Sequence, residues 1–169
     1  MTATNTSPLN YLVLLGAAEL LPKLYGRICA PRADADELSA DLAPEAVRQW
    51  IAHPPPWLEV IAVTAVEDPS LARLQAGERE AIMLAEQVAA DLLLVDERAA
   101  RREADRRRLA TVGTLGILDL AAERGLVDFP LCIERLRQET TFYTTDAILE
   151  PLLERDRLRE RGKTGDAER

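Results

Sequence analysis

Apolar residues fall along the chain in two alternating arrangements. Short apolar runs closed by turn residues read as buried strands: Met1–Thr6, Gly26–Ala30 ended by Pro31, Leu58–Val63, Asp91–Val95 and the shorter Ala110–Val112. Other stretches, Glu78–Ala89, Glu97–Leu109 and Leu115–Arg124, carry helix formers with apolar positions three and four apart, and a further helix ends near Ala52. Thr114 stands where the N-cap of the helix at Leu115 is expected. Strands alternating with helices predict an α/β domain: three layers, α/β/α, around a central, mostly parallel sheet.

The rest of the pattern sets boundaries. His53-Pro54-Pro55-Pro56 is a stiff connector into the strand at Leu58. A charged helix is expected over Asp146–Arg161, decaying into a polar tail, Gly162–Arg169, read as disordered. The chain therefore divides into a main domain, 1–143, a C-terminal helix, 144–161, and the tail, 162–169. Ile148, Leu149, Leu152 and Leu153 form an apolar stripe that the core is not expected to cover, which predicts a homodimer or a protein partner. Trp50 and Trp57 read as core or oligomer contacts, and Phe142-Tyr143 as a pair packing the terminal helix onto the core.

Composition narrows the class. With 169 residues, 47% of them hydrophobic, the chain can bury about two-thirds of its unfolded surface and needs no staples. Leu9–Leu24 is broken by Asn10, Gly16, Glu19 and Pro22, so no membrane span is predicted, and the start of the chain lacks a secretory pattern; a cytoplasmic protein is expected. Cys29 and Cys132 lie far apart in apolar surroundings and read as buried free thiols. The formal charge of −8 argues against general affinity for polyanions. Yet Arg98, Arg101, Arg102, Arg106, Arg107 and Arg108 crowd together, leaving a local positive patch in an acidic protein.

In open parallel sheets the functional crevice lies beyond the carboxyl ends of the strands. Here those positions are acid or amide: Asn5-Thr6-Ser7 after the first strand; Asp34, Asp36 and Glu37 in the helix after Pro31; Asp96-Glu97 after the fourth. Glu78 opens the helix before that fourth strand. Carboxylates converging on one crevice repel unless a divalent cation neutralises them, and hard oxygen donors suit Mg²⁺ or Mn²⁺. Such a site fits phosphodiester hydrolysis, in which no side-chain nucleophile is required. His53, the single histidine, abuts three prolines, so no histidine triad or histidine-rich zinc site is present, and no phosphate-cradling glycine motif occurs. A phospho-acceptor receiver domain also uses acids at strand ends but wants a late-strand lysine, and the lysines here are Lys23 and Lys163.

Asn5-Thr6-Ser7-Pro8-Leu9, Pro31 with Glu37-Leu38, Gly77-Glu78-Arg79-Glu80-Ala81-Ile82, Leu93-Leu94-Val95-Asp96-Glu97-Arg98, and Gly113-Thr114-Leu115-Gly116 with Phe142-Tyr143 occur in an order and spacing that resembles the PIN-like family, in a prokaryotic subgroup related to VapC-type toxins. The resemblance runs over roughly residues 3–150. It implies a parallel sheet flanked by helices and a Mg²⁺- or Mn²⁺-dependent ribonuclease, often the toxin of a pair with a small antitoxin. Carried over by position, the catalytic acids are Glu37, Glu78 and Asp96, and the metal ligands those three with Asn5. Thr6, Ser7, Arg98, Arg101 and Arg102 are the residues expected to meet RNA. The resemblance departs at Asn5, where PIN domains usually carry aspartate. An amide contributes no charge, so metal affinity is expected to fall.

Each residue also has a plainer reading. Asp96 could cap the helix at Glu97, Glu78 serve as a first-turn acid, Glu37 belong to a solvated acidic face, and the arginines pair with Glu103 and Asp105. Glu80 lies two positions from Glu78 and points elsewhere. The alternative to a ribonuclease is a catalytically weakened PIN-like module that binds nucleic acid or a protein.

Overall fold

Thr2–Thr4 (β1), fully buried, is the middle strand of the sheet. Ile28–Pro31 (β2) pairs with it on one side and Leu92–Leu94 (β4) on the other, while Leu58–Ile61 (β3) and Thr111–Val112 (β5) form the edges, giving the order β3-β2-β1-β4-β5. Every pairing among the described residues is parallel, so "mostly parallel" understates the sheet. The computed structural model describes residues 1–64 and 67–166, with side chains to 162.

Helices Thr6–Leu14 (α1), Leu20–Tyr25 (α2), Arg32–Ser39 (α3) and Glu45–Ala52 (α4) connect β1 to β2 to β3; Ala76–Gln87 (α5) and Arg98–Arg106 (α6) connect β3 to β4 to β5. The first set of steps moves across the sheet in one direction and the second in the other. Right-handed crossovers therefore put α1–α4 on one face and α5–α6 on the opposite one, which makes the three layers. On the second face Ala3, Cys29 and Leu93 of the strands close against Ala81, Ile82, Leu84 and Ala85 of α5 and Ala100 and Ala104 of α6. The three- and four-residue spacing within α5 is what turns those side chains to one face. Each fully buried Leu or Ile there contributes about 1.5–3 kcal/mol.

The chain forms two compact units, Met1–Thr114 and Leu115–Arg169, a division that falls inside the span 1–143. The second contains Phe129–Glu139 (α8), Asp146–Asp166 (α9) and most of Thr114–Glu123 (α7). In it Arg155 and Arg159 of α9 bind the nearly buried Asp119 of α7 at 2.8 and 2.6 Å. Asp128 caps α8 by accepting the Leu131 N–H at 2.9 Å.

Several expectations change in detail. The strands are shorter than the apolar runs, because pairing stops where the neighbouring strand ends. α9 continues through Gly162–Asp166, into the segment read as a polar tail; the remainder of that tail, 167–169, lies outside the described residues. The apolar stripe on α9 is largely covered: Leu149 is buried, Leu152 and Leu153 are half-buried, and Ile148 is exposed. Tyr143 is 86% exposed, so it does not pack the terminal helix. Trp50 and Trp57 are half-buried and stack tilted on each other at 5.8 Å, with the Trp57 ring N–H donating to Glu19. Both cysteines are free; Cys29 is buried and Cys132 half-buried, and burial pushes the Cys29 thiol up to about 11.

Candidate functional site

Asn5 follows β1 directly and caps α1, its side-chain oxygen accepting the Ser7 N–H at 3.4 Å. This turn presents two consecutive hydroxyls. The Thr6 hydroxyl donates to Glu37 at 3.1 Å, on the helix after β2, and the Ser7 hydroxyl donates to Glu97, just after β4. One turn on the central strand is thereby tied to a carboxylate from each neighbouring strand.

On the β2 side Asp34, 0% exposed, lies beneath Glu37. The Asn5 amide N–H donates to one Asp34 oxygen at 3.4 Å; the other, Oδ1, is buried without a hydrogen-bond partner. Burial pushes this carboxyl up to about 8; Glu37 and Glu80 add like charge, and Thr6 works against the shift. Gly77 packs over the group. A Cβ built there would stand 2.8 Å from Asp34 Oδ1, 3.5 Å from Asn5 Nδ2 and 3.6 Å from Glu37 Oε2.

On the β4 side the half-buried Asp96 accepts the Thr114 N–H at 2.7 Å and the Thr114 hydroxyl at 2.6 Å. It therefore caps the start of α7; Glu97 occupies the N-cap of α6 without a side-chain capping bond. Thr114 is thus a donor to Asp96, where the sequence pointed to a cap acceptor. Burial raises the Asp96 carboxyl, opposed by the two Thr114 bonds. A Cβ at Gly113 would stand 2.8 Å from Asp96 Oδ1 and 3.8 Å from Arg101 Nη1. The Oε2 atom of Glu97 is buried and lacks a hydrogen-bond partner.

The residues singled out from the sequence thus divide. Asn5, Thr6 and Glu37 meet on one side, Ser7 reaches the other, and Asp96 sits with Arg101. Glu78, 8% exposed, turns its carboxylate back to the Gln75 N–H at 3.0 Å, closing a capping box at the start of α5. Arg98, Arg101 and Arg102 are exposed on the first turns of α6. Arg106 and Arg107 follow the plainer reading and pair with Glu103, while Arg107 also reaches Asp68 at 2.6 Å and Glu86 at 3.0 Å.

Two acids central to the geometry, Asp34 and Glu97, were passed over in choosing site residues. Asp34 precedes the buried Leu38 by four positions, so it lies on the apolar stripe of α3, and a carboxylate there had to be buried. Glu97 gave no comparable signal beside Asp96.

Among the described residues no group of three or more His, Cys, Asp or Glu side chains stands ready to hold a metal ion. Carboxylate oxygens of Asp34 and Glu37 nevertheless face Gly77, beside the Asn5 amide nitrogen, and Asp34 offers a buried carboxylate oxygen without a hydrogen-bond partner. That set suits a hard cation such as Mg²⁺, which binds through one or two carboxylates and keeps several waters.

A family model described as a PIN domain matches residues 1–157. No curated protein and no solved structure matches the chain. Among the described residues no helix is long and apolar enough to cross a membrane.

Proposed function

The chain belongs to the PIN-domain family, and from that premise we propose that it is a divalent-metal-dependent endoribonuclease that hydrolyses RNA phosphodiester bonds, the toxin of a VapC-type toxin–antitoxin pair. The observation that carries this reading is the pair of hydroxyls on Thr6 and Ser7, which holds Glu37 and Glu97 at the carboxyl end of β1 with Asp96 beside them. Glu37 and Asp96 would hold Mg²⁺ or Mn²⁺, and Glu78 steadies the start of α5 close by. Once bound, the cation supplies an activated water and neutralises charge on the phosphate. The protein's own groups do the positioning. Thr6 and Ser7 fix the carboxylates, Thr114 fixes Asp96, and Arg98, Arg101 and Arg102 meet the RNA backbone. The proposed setting is the cytoplasm, with a small antitoxin as partner and a homodimer using the exposed Ile148 on α9.

Cleavage of single-stranded and transfer RNA by the purified chain, with Mg²⁺ or Mn²⁺ and with EDTA, tests the reading. Metal-dependent cuts absent from Asp96→Asn are the expected result. A folded, antitoxin-free protein that leaves both RNAs intact would instead favour a catalytically weakened PIN-like module that binds nucleic acid or protein. That second reading draws on the uncharged Asn5 and on the engagement of both Asp96 oxygens by Thr114.

A further inference from the structure

We infer that Asp34 is the carboxylate that completes the cation site and that Asn5 is its positioning residue, an inversion of the roles the sequence assigns; the inference rests on the metal-dependent reading above. Asn5 has both ends of its amide committed, the oxygen to the Ser7 N–H and the nitrogen to Asp34 Oδ2. It donates toward Asp34, while its oxygen is turned to the Ser7 N–H. An aspartate at position 5 would set two carboxyl groups about 3.4 Å apart, and like charge at that distance keeps them from ionising together. The one ionisable group of this pair is therefore on α3.

The local chain explains why that charge is left unused. Asp34 is the third residue of α3, where a side chain ordinarily turns back to the N–H of the capping residue. Glu78, third in α5, does so onto Gln75. The capping residue of α3 is Pro31, which has no N–H, and Asp34 Oδ1 remains buried without a partner. A buried carboxylate oxygen left unsatisfied in a folded protein calls for an explanation, and a bound ion is one.

The neighbouring groups fit that explanation. Asp34 Oδ1 and Glu37 Oε2 both face Gly77, where a built Cβ would stand 2.8 and 3.6 Å from them. Asp34 is buried and Glu37 exposed, so the two carboxyl groups approach from the protein side and from the solvent side. Two carboxylates with water completing the shell are what a hard divalent cation takes from a protein.

Calorimetric titration with Mn²⁺ and thermal melting with and without Mn²⁺, on the full chain, test the assignment. Wild type should bind and melt higher with Mn²⁺. Asp34→Asn should fold, lose the metal-dependent rise in Tm, and bind at least about 10- to 100-fold more weakly, the range that loss of a supporting partner alone produces. The exchange Asn5→Asp with Asp34→Asn should recover most of the binding, because it returns one charge to the pair; it also decides the matter if the single variant fails to fold. Asp34→Asn binding Mn²⁺ as wild type does, or a folded exchange variant that does not bind, would overturn the inference and leave the nuclease reading standing. Wild type that does not bind Mn²⁺ would overturn both.

Discussion

The hydroxyl and the backbone amide of Thr114 both donate to the carboxylate of Asp96, at 2.6 and 2.7 Å. A candidate ligand after β4 is thus held by the segment that follows β5. Removing the hydroxyl leaves one oxygen of a half-buried carboxylate short of a donor. Thr114→Val should lower stability by about 1.5–3 kcal/mol in urea melts, and Thr114→Ser should keep most of it. Equal losses in the two variants would mean that the methyl, and not the hydroxyl, matters.

Gly77 is required for closeness. Ala at this position would push a methyl to 2.8 Å from Asp34 Oδ1, against backbone that α5 holds in place. The expected cost of Gly77→Ala is about 1–3 kcal/mol, as for other over-packed sites. In a double-mutant cycle with Asp34→Ala the loss should shrink, since the clashing atom is gone. Additive losses would place the strain elsewhere.

The pH dependence has a definite sign. Asp34 titrates near 8 in the folded chain and near 3.8 unfolded, so the folded form holds the proton more tightly. Its contribution to stability is greatest below about pH 4 and is lost as pH rises towards about 8. Asp96 shifts in the same direction. Asp68, held down to about 2 by Ser70 and Arg107, acts oppositely and only in acid below its ordinary value. Metal-free wild type should therefore lose Tm between about pH 4 and 8 relative to Asp34→Asn. Parallel curves for the two proteins would contradict the assignment.

Arg107 joins three pieces of chain. Its guanidinium, half-buried, bonds Glu103, Glu86 and Asp68 at 2.6–3.0 Å, tying α6 to α5 and to the short turn at Pro69–Leu71. Arg107→Met should cost about 2 kcal/mol, the scale of hydrogen bonds to charged groups. Arg106→Ala, which removes an exposed side chain paired with the same Glu103, should change stability by less than about 0.5 kcal/mol, because Arg107 still satisfies that carboxylate. Similar losses would remove the distinction between hub and surface pair.

If Arg98, Arg101 and Arg102 pair with RNA phosphates, each alanine variant should weaken binding across unrelated sequences. The slope of log affinity against log salt should fall by about 0.7 for every phosphate of a single strand that is no longer neutralised. Melting temperatures should stay put, because these side chains are exposed. An unchanged slope would return the arginines to an ordinary solvated face.

What the sequence yielded, and what it withheld, follows from the reach of each interaction. Apolar runs and helical spacing are local, and they located five strands and the helices from α3 to α7, but not α1, α2 or α8. Thr6, Glu37 and Asp96 were marked by their places after strands. Pairings across the sheet have no local trace: Ser7 with Glu97, Asp96 with Thr114, and Arg107 with Asp68 depend on the order of strands. Asp34 left a clue in its four-residue offset from Leu38, and Pro31 left another, but the meaning of both emerges only when Gly77 closes over them.

The sheet order has a consequence for the timing of synthesis. β1 is made first yet sits between β2 and β4, and its turn is bonded to Glu37 and Glu97, residues 31 and 90 positions away. Half of the site can assemble while the chain is still emerging; the other half must await β4 and the residues that follow β5. A nascent chain on the ribosome therefore carries an incomplete acidic crevice until most of the first unit has been translated, and the RNA nearest to it at that time is the ribosome's own.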